Sequence, residues 1–476
     1  MGFIHDLLEG PADFLGVPAS GLTFLASLLL SAPICYKLKD FLNGQPAYMK
    51  HIAFTLAGVF FSVCNYGIDT SHLFITIVAN YFLLLFTGGT AMSVALSFVL
   101  NMGYLLVAYV FVSSDIYEII WTTPQCVITL RMIGIAFDLM DGNMPKEKLS
   151  KEQQQLYISK APTLLELLSA CFYPGGFFAG PQFSFRMFLE FVNEEGTYKP
   201  LYSNDPPDRV KPALKAMATG MTCVVIYALC NNSFGPMYIS SSEFENSAMI
   251  IKVIRFCLYG YNFYFKYVGF WLLTESVCIC GGLAYNGQDK DGQHRWDAVI
   301  GARLYLLLTA NAFRDLIRSF NLTTNLWTAR YVYKRCRFLG NRHLSQAISL
   351  LFLAIWHGFF VGYFLCFQLE MIYVMVEDQV VALSEKIPAL RNLVNKPSAK
   401  VPVYIITKAW MTFFWAYAIT PFIFLRLSKI HHVWRQFYYC GHVIYFSWVL
   451  LYFLFIVPQL KRMAKKEEKD KQKKSE

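Results

Sequence analysis

SLLFLAIWHGFFVGYFLCF, residues 349–367, is an apolar run of membrane length whose one ionisable side chain, His357, lies close to its middle. A bilayer core of about 30 Å takes roughly 20 apolar residues of helix, and lipid admits only helices and closed barrels as spanning elements. The run is continuous rather than alternating, so it reads as a helix. An ionisable group at that depth is costly to bury and faces a cavity, a partner or a pathway rather than lipid. His357 therefore has two readings from this run alone. It is either a structural histidine hydrogen-bonded to a neighbouring helix or a functional one.

Working outward, comparable runs recur at residues 22–35, 51–66, 73–86, 92–112, 213–230, 250–285, 401–425 and 437–458, separated by short polar breaks. The chain of 476 residues is 55% hydrophobic, 17% aromatic and only 16% charged, against roughly 25% charged in ordinary soluble domains. Its mean hydropathy is +0.39. These features predict an all-α, polytopic helical membrane protein with roughly ten or eleven transmembrane helices plus re-entrant or interfacial ones. Residues 1–20 lack the basic start and small-residue cleavage site of a secretory signal and read as an interfacial lead-in. Residues 21–460 read as a single membrane domain, and residues 461–476, with eight basic and four acidic side chains, as a charged tail.

Several function classes fall away. The twelve cysteines contain no CxxC pair and lie mostly inside apolar runs, which argues against a zinc site or a disulfide framework. No metal and no other cofactor is expected. The net charge of +10 suits positive-inside loops and anionic lipid, whereas a nucleic-acid partner would need an exposed basic face that a chain of this kind does not offer. Walker A, GxGxxG, GxSxG and HExxH are missing. The loop NGQDKDGQHRW, residues 286–296, has the look of an EF-hand but places Gly287 at its first ligand position and Ala298 at its last.

Two segments promise more. In residues 121–142, Arg131 and Asp138 stand seven apart, about two helical turns and hence on one face; an internal ion pair and a cavity-lining face are both open. In residues 162–185, Pro174, Gly175, Gly176, Gly180 and Pro181 break any regular helix. Irregular backbone at membrane depth is tolerated only where protein or water satisfies it, so this is expected to be a re-entrant or kinked element beside a cavity.

Just before the His357 run lies RDLIRSFNLTTNLWTARYVYKRCRFLGNRH, residues 314–343, with seven Arg/Lys, one Asp and a ladder of aromatic and apolar positions. It reads either as a plain basic loop or as an interfacial site for a polyanion with a greasy tail. The pairing of SFNLTTNLWTARYVYKR with SLLFLAIWHG resembles the membrane-bound O-acyltransferase family, whose pattern is an Asn in a polar-aromatic segment and an intramembrane His about three dozen residues later. Asn321 and His357, 36 residues apart, occupy those positions. RMIGIAFDLMDG from Arg131, GPQFSF from Gly180 and KYVGFWLLTESVCICGGLAYNG from Lys266 extend the similarity over most of the chain, to the lysophospholipid branch of that family.

The resemblance implies helices enclosing a catalytic chamber and transfer of a polyunsaturated acyl group from acyl-coenzyme A to the sn-2 hydroxyl of lysophosphatidylcholine, or of the ethanolamine and serine lysophospholipids. The residues suit such chemistry. Acyl transfer to a hydroxyl needs a base to take the proton and a donor to hold the developing oxyanion. Histidine ordinarily titrates near neutrality, so His357 is expected to be the base. Asn321 either orients that imidazole or binds a substrate oxygen. Arg330, Lys334, Arg335 and Arg337 are expected to receive the phosphates of coenzyme A, with Asn325, Trp327, Tyr331 and Trp356 as further substrate contacts. Lys473 and Lys474 near the end look like a dilysine retrieval signal, which implies the endoplasmic reticulum membrane with a cytosolic C-terminus. Membrane lipids are expected neighbours, and a homo-oligomer is left open. Two other readings stand beside this one: a member of the same family acting on a sterol, diacylglycerol or protein, and a transporter whose path is lined by His357, Arg131 and Glu275.

Overall fold

A computed structural model describes residues 3–15, 18–112 and 119–462. Among these residues the regular secondary structure is helical, with one isolated bridge between Gln288 and His294 in the loop of residues 282–303. In chain order the helices are α1 Phe3–Leu15, α2 Ala19–Phe41, α3 Ala47–Tyr66, α4 Thr70–Thr87, α5 Ala91–Val112, α6 Thr122–Gly142, α7 Lys151–Leu156, α8 Leu164–Phe172, α9 Pro174–Phe177, α10 Phe185–Val192 and α11 Val210–Phe234. There follow α12 Pro236–Ile239, α13 Ser242–Glu245, α14 Met249–Gly281, α15 Leu304–Thr309, α16 Phe313–Ile317, α17 Leu322–Thr328 and α18 Arg342–His357. The chain continues with α19 Val361–Lys386, α20 Pro388–Val394, α21 Lys400–Phe424, α22 Leu427–Arg435 and α23 Cys440–Leu451.

Among the described residues, five segments are long and apolar enough to cross a membrane: Ala19–Phe41, Ala47–Thr87, Ala91–Val112, Val210–Ile239 and Cys440–Arg462. The helices α6, α14, α19 and α21, of 21, 33, 26 and 25 residues, are also long enough to cross a bilayer. All four carry charge; α6 in particular holds Arg131, Asp138 and Asp141, all buried, and is buried on nearly every face. A helix of that kind belongs at the centre of a protein rather than against lipid.

The chain forms two compact units. The first comprises residues 1–230, 263–307 and 318–359. In it, α4 and α5 are joined by a reciprocal amide pair, Asn80 Nδ2 donating to Asn101 Oδ1 at 2.9 Å and Asn101 Nδ2 to Asn80 Oδ1 at 2.8 Å. Such pairs fasten helices where apolar contact alone gives no preference over lipid. The second unit comprises residues 231–262, 308–317 and 360–476. Its core is aromatic, with Tyr373 stacked on Tyr445 at 3.9 Å and Tyr417 on Trp434 at 5.1 Å.

The run that opened the sequence analysis is not one crossing. Helix α18 ends at His357, and α19 begins four residues later at Val361. Gly358 adopts φ +127°, which an L side chain rarely reaches, and its N–H returns to the Ile355 carbonyl at 3.0 Å. His357 thus lies at a helix C-terminus, not in the middle of a span. Apolar continuity hid the break because Trp356, Phe359 and Phe360 flank it with lipid-compatible side chains.

Candidate active site

The backbone around Asn321 is built by a chain of specific contacts. Glu275 of α14 accepts the Gly301 N–H at 3.2 Å, and the Gly301 carbonyl accepts the Leu322 N–H at 3.1 Å. Residue 301 has to be glycine for this approach, because a Cβ there would lie 2.8 Å from the Trp271 Cβ. Asn325 donates its side-chain N–H to the Phe320 carbonyl at 3.0 Å. Between these ties Asn321 takes the left-handed conformation, φ 45° and ψ 39°, which asparagine tolerates better than most residues. It stands at the N-terminus of α17, yet its side chain caps no helix N–H, so its carboxamide is not spent on the local fold.

His357 is fixed from the other direction. Asn341 starts α18 by accepting the N–H groups of His343 and Leu344 at 2.9 and 3.2 Å. At the far end Trp356 donates its indole N–H to the Cys126 carbonyl of α6 at 3.2 Å, and its own carbonyl accepts the Tyr109 hydroxyl of α5 at 3.2 Å. The imidazole meets the indole edge to face, centroids 4.6 Å apart. Trp356 and Gly358 are buried, whereas His357 is partly exposed. Trp356 therefore has the place of a residue that sets the imidazole.

Helix α17 and the π-helical turn Ala329–Tyr333 that continues it lie against α6 and α18. Trp327 stacks on Phe352 of α18 at 5.6 Å, Tyr331 on Phe137 of α6 at 5.6 Å, and the Tyr331 hydroxyl donates to Asp138 at 2.8 Å. Arg131 serves the broken segment. Its guanidinium donates to the carbonyls of Ala170, Gly176 and Pro181 at 2.5, 3.0 and 3.2 Å and covers the Phe183 ring at 4.0 Å. These are carbonyls that the Pro/Gly interruption strips of helical partners, so the satisfaction that membrane depth demands comes from one arginine.

Arg131 and Asp138 together line a cavity of about 360 Å³, as the cavity-lining alternative expected. Its walls also include Gln182, Phe183, Arg186, Glu190, Asp297, Thr323, Trp327, Arg330 and Tyr331. Gln182 ties it together: its backbone N–H donates to Thr323 Oγ1 at 3.1 Å and its side-chain N–H to the Val127 carbonyl at 2.9 Å.

The basic cluster expected to meet phosphates has protein partners. Arg330 donates to Glu152 at 2.8 Å, Lys334 pairs with the same carboxylate, and Arg335 grips Asp141 with two bonds of 2.9 and 2.5 Å. Arg337 is exposed on the short turn Arg337–Leu339. Burial would raise Glu152, but hydrogen bonds and charge from Lys334 and Arg330 hold its carboxyl below the usual glutamate value. The sequence reading did not single out Gln182 or Thr323, although GPQFSF and NLTTN contain them. A lone polar amide within a Gly/Pro/Phe break was the available signal.

The sequence profile of the membrane-bound O-acyltransferase family matches residues 106–413. The chain is 34% identical over 468 residues to lysophospholipid acyltransferase 5 of Mus musculus, covering 98% of this chain and 94% of that protein. It is 33% identical over 456 residues to lysophospholipid acyltransferase 5 of Drosophila melanogaster, covering 95% and 90%. Similarity extends to the lysophospholipid acyltransferase of Schizosaccharomyces pombe, 26% identical over 470 residues, covering 93% and 88%.

Proposed function

The chain belongs to the membrane-bound O-acyltransferase family, and from that premise we propose that it is a lysophospholipid acyltransferase that takes its acyl group from acyl-coenzyme A. The observation that carries this reading is likeness along nearly the whole chain to proteins named for that activity; the roles given to Asn321 and His357 rest on the motif resemblance of the sequence. The acceptor is the sn-2 hydroxyl of lysophosphatidylcholine, with the ethanolamine and serine forms as further acceptors and a polyunsaturated chain as the preferred cargo. No metal or other cofactor takes part. The membrane is that of the endoplasmic reticulum, the residence that the family resemblance implies; Lys473 and Lys474 lie outside the described residues.

The chemistry follows from the two side chains. His357 removes the hydroxyl proton as the oxygen attacks the thioester carbonyl. The tetrahedral oxyanion collapses by expelling the coenzyme A thiolate, which takes the proton back from the imidazolium. The C-terminal carbonyls of α18, at whose end His357 lies, favour the positive charge the imidazole carries between these steps. The Asn321 carboxamide, unspent in helix capping, donates either to the substrate oxyanion or to the imidazole.

The test presents membranes containing the protein with several lysophospholipids and several acyl-coenzyme A species in competition, with His357→Ala as the blank. Sterol, diacylglycerol and peptide acceptors are run in the same panel. His357→Ala and Asn321→Ala should each lower transfer by about 10²–10⁴-fold while the protein stays folded in the membrane. Full activity in His357→Ala removes the base assignment, and preference for a non-phospholipid acceptor removes the substrate class.

A further inference from the structure

Helix α18 stops at His357, so its last carbonyls lack the N–H groups that a further turn would bring. Gly358 answers for Ile355 with its N–H at 3.0 Å. The carbonyl of Trp356 is answered from another helix, by the Tyr109 hydroxyl of α5 at 3.2 Å. That hydroxyl also lies 2.7 Å from the Cys126 thiol of α6, and the Cys126 carbonyl accepts the Trp356 indole N–H at 3.2 Å. The contacts close a ring that runs from the Trp356 carbonyl through Tyr109 and both polar groups of Cys126 back to the Trp356 indole. A carbonyl can only accept, so Tyr109 gives its proton to Trp356 and the thiol gives its own to the Tyr109 oxygen.

The ring bears on the imidazole through the peptide bond. The Trp356 carbonyl and the His357 N–H belong to one planar unit, so a bond that holds the carbonyl also fixes the plane from which the His357 side chain departs. The indole, held at its N–H by α6, meets the imidazole edge to face with centroids 4.6 Å apart. On the other side Gly358 follows at φ +127°, and α18 has no further turn to steady His357. Attachment of α5 to α18 does not need the hydroxyl: Phe98 meets Phe352 edge to face at 6.0 Å, and a single polar bond between membrane helices adds little to such packing. What the hydroxyl supplies is orientation.

Resting on the assignment of His357 as the base, we infer that Tyr109 is a positioning residue for acyl transfer. It acts through the peptide unit of His357 rather than on a substrate, and Cys126 holds its hydroxyl in the orientation that reaches the Trp356 carbonyl. Three helices thereby aim the imidazole: α18 carries it, α5 holds its peptide and α6 holds the neighbouring indole. Without the hydroxyl that peptide is free to tilt. A misaimed base slows removal of the acceptor's proton and leaves the binding of both substrates as it was.

The experiment uses the full-length protein in phosphatidylcholine nanodiscs, with oleoyl-coenzyme A and lysophosphatidylcholine as substrates. Tyr109→Phe keeps the ring and deletes the O–H. It should lower kcat about five- to tenfold, with both KM values within about twofold and the melting temperature within about 2 °C of the wild type. Trp356→Phe should behave alike, and because both bonds steady one imidazole the two losses overlap. The double variant should be at most about twofold slower than the slower single one, whereas independent losses would multiply to about 25- to 100-fold. The inference is overturned if Tyr109→Phe keeps the wild-type kcat, if it raises a KM at constant kcat, or if the two losses multiply. A lower kcat accompanied by a melting temperature more than about 5 °C down also overturns it, since the hydroxyl would then hold the fold rather than the base. Full transfer by His357→Ala is a separate result that defeats the base assignment and this inference with it, and a wild type that moves no oleoyl group defeats the acyl-coenzyme A reading itself.

Discussion

Replacing Asp141 by Asn separates two roles for the basic segment after α17. Asp141 is buried, its side chain 2% exposed, and it takes two bonds from Arg335 and a third from Gln153 Nε2 at 3.1 Å. Breaking a fully buried ion pair by removing one charge costs about 3–5 kcal/mol. The Arg335 side chain is 23% exposed, so water recovers part of that loss, and the retained amide oxygen keeps one weaker bond; about 2–3 kcal/mol is the resulting expectation. With an unfolding entropy of roughly 2.1 cal/mol/K per residue, a cooperative melt of the chain falls by about 2–3 °C. The assay is a fluorescence melt in detergent, run beside the Michaelis constant for acyl-coenzyme A. If Arg335 is a strut, Tm falls and the donor constant stays within about twofold. An unchanged Tm with a markedly lower donor constant refutes the reasoning, because it would mean that Asp141 had been withholding a phosphate-binding cation.

The contact between Glu152, Lys334 and Arg330 should be sensitive to acid. The Glu152 carboxyl is held below its ordinary 4.5 in the folded protein, so its stabilisation is complete above that value and is lost as pH falls through the depressed one. Hydrogen exchange over residues 151–156 should be flat from neutral pH to about 5 after correction for intrinsic rates and should rise below about 4, and Glu152→Gln should abolish the step. Trp356→Phe deletes the bond to the Cys126 carbonyl and keeps an aromatic ring beside His357. It should lower kcat about five- to tenfold with little change in either substrate's KM, the mark of a disturbed imidazole rather than a lost contact, whereas a rise in KM at constant kcat would make Trp356 a binding residue.

What the residues disclosed in advance, and what they withheld, divides along physical lines. Apolar runs and low charge give helices in a membrane, because lipid leaves the backbone so few options. Asn321 and His357 were singled out from their spacing and neighbours, and their catalytic roles are the proposal made above. The end of α18 was not, since one glycine at positive φ leaves no mark on hydropathy. Nor were the partners of Arg330, Lys334 and Arg335, whose carboxylates lie far upstream in α6 and α7; a basic stretch read locally looks free. Arg131 stood out as a charge in an apolar helix, but its carbonyl acceptors belong to a segment whose path only the fold reveals. Asn325, expected at the substrate, supports the turn beside Asn321, and Trp356 secures the end of α18.

The bond set of Arg131 also bears on how the polypeptide is made. Residues 122–142 leave the ribosome before residues 162–185, so the guanidinium arrives before the carbonyls of Ala170, Gly176 and Pro181 that it will serve. Until they emerge, an arginine near the middle of a lone helix costs about 2.5–3.5 kcal/mol in translocon insertion. Neither piece is a comfortable guest of the bilayer by itself, one for its charge and the other for its unfilled carbonyls. Biosynthesis therefore has to keep α6 in a sheltered or partly inserted state until the proline- and glycine-rich segment is delivered to it, and the two become membrane-competent together.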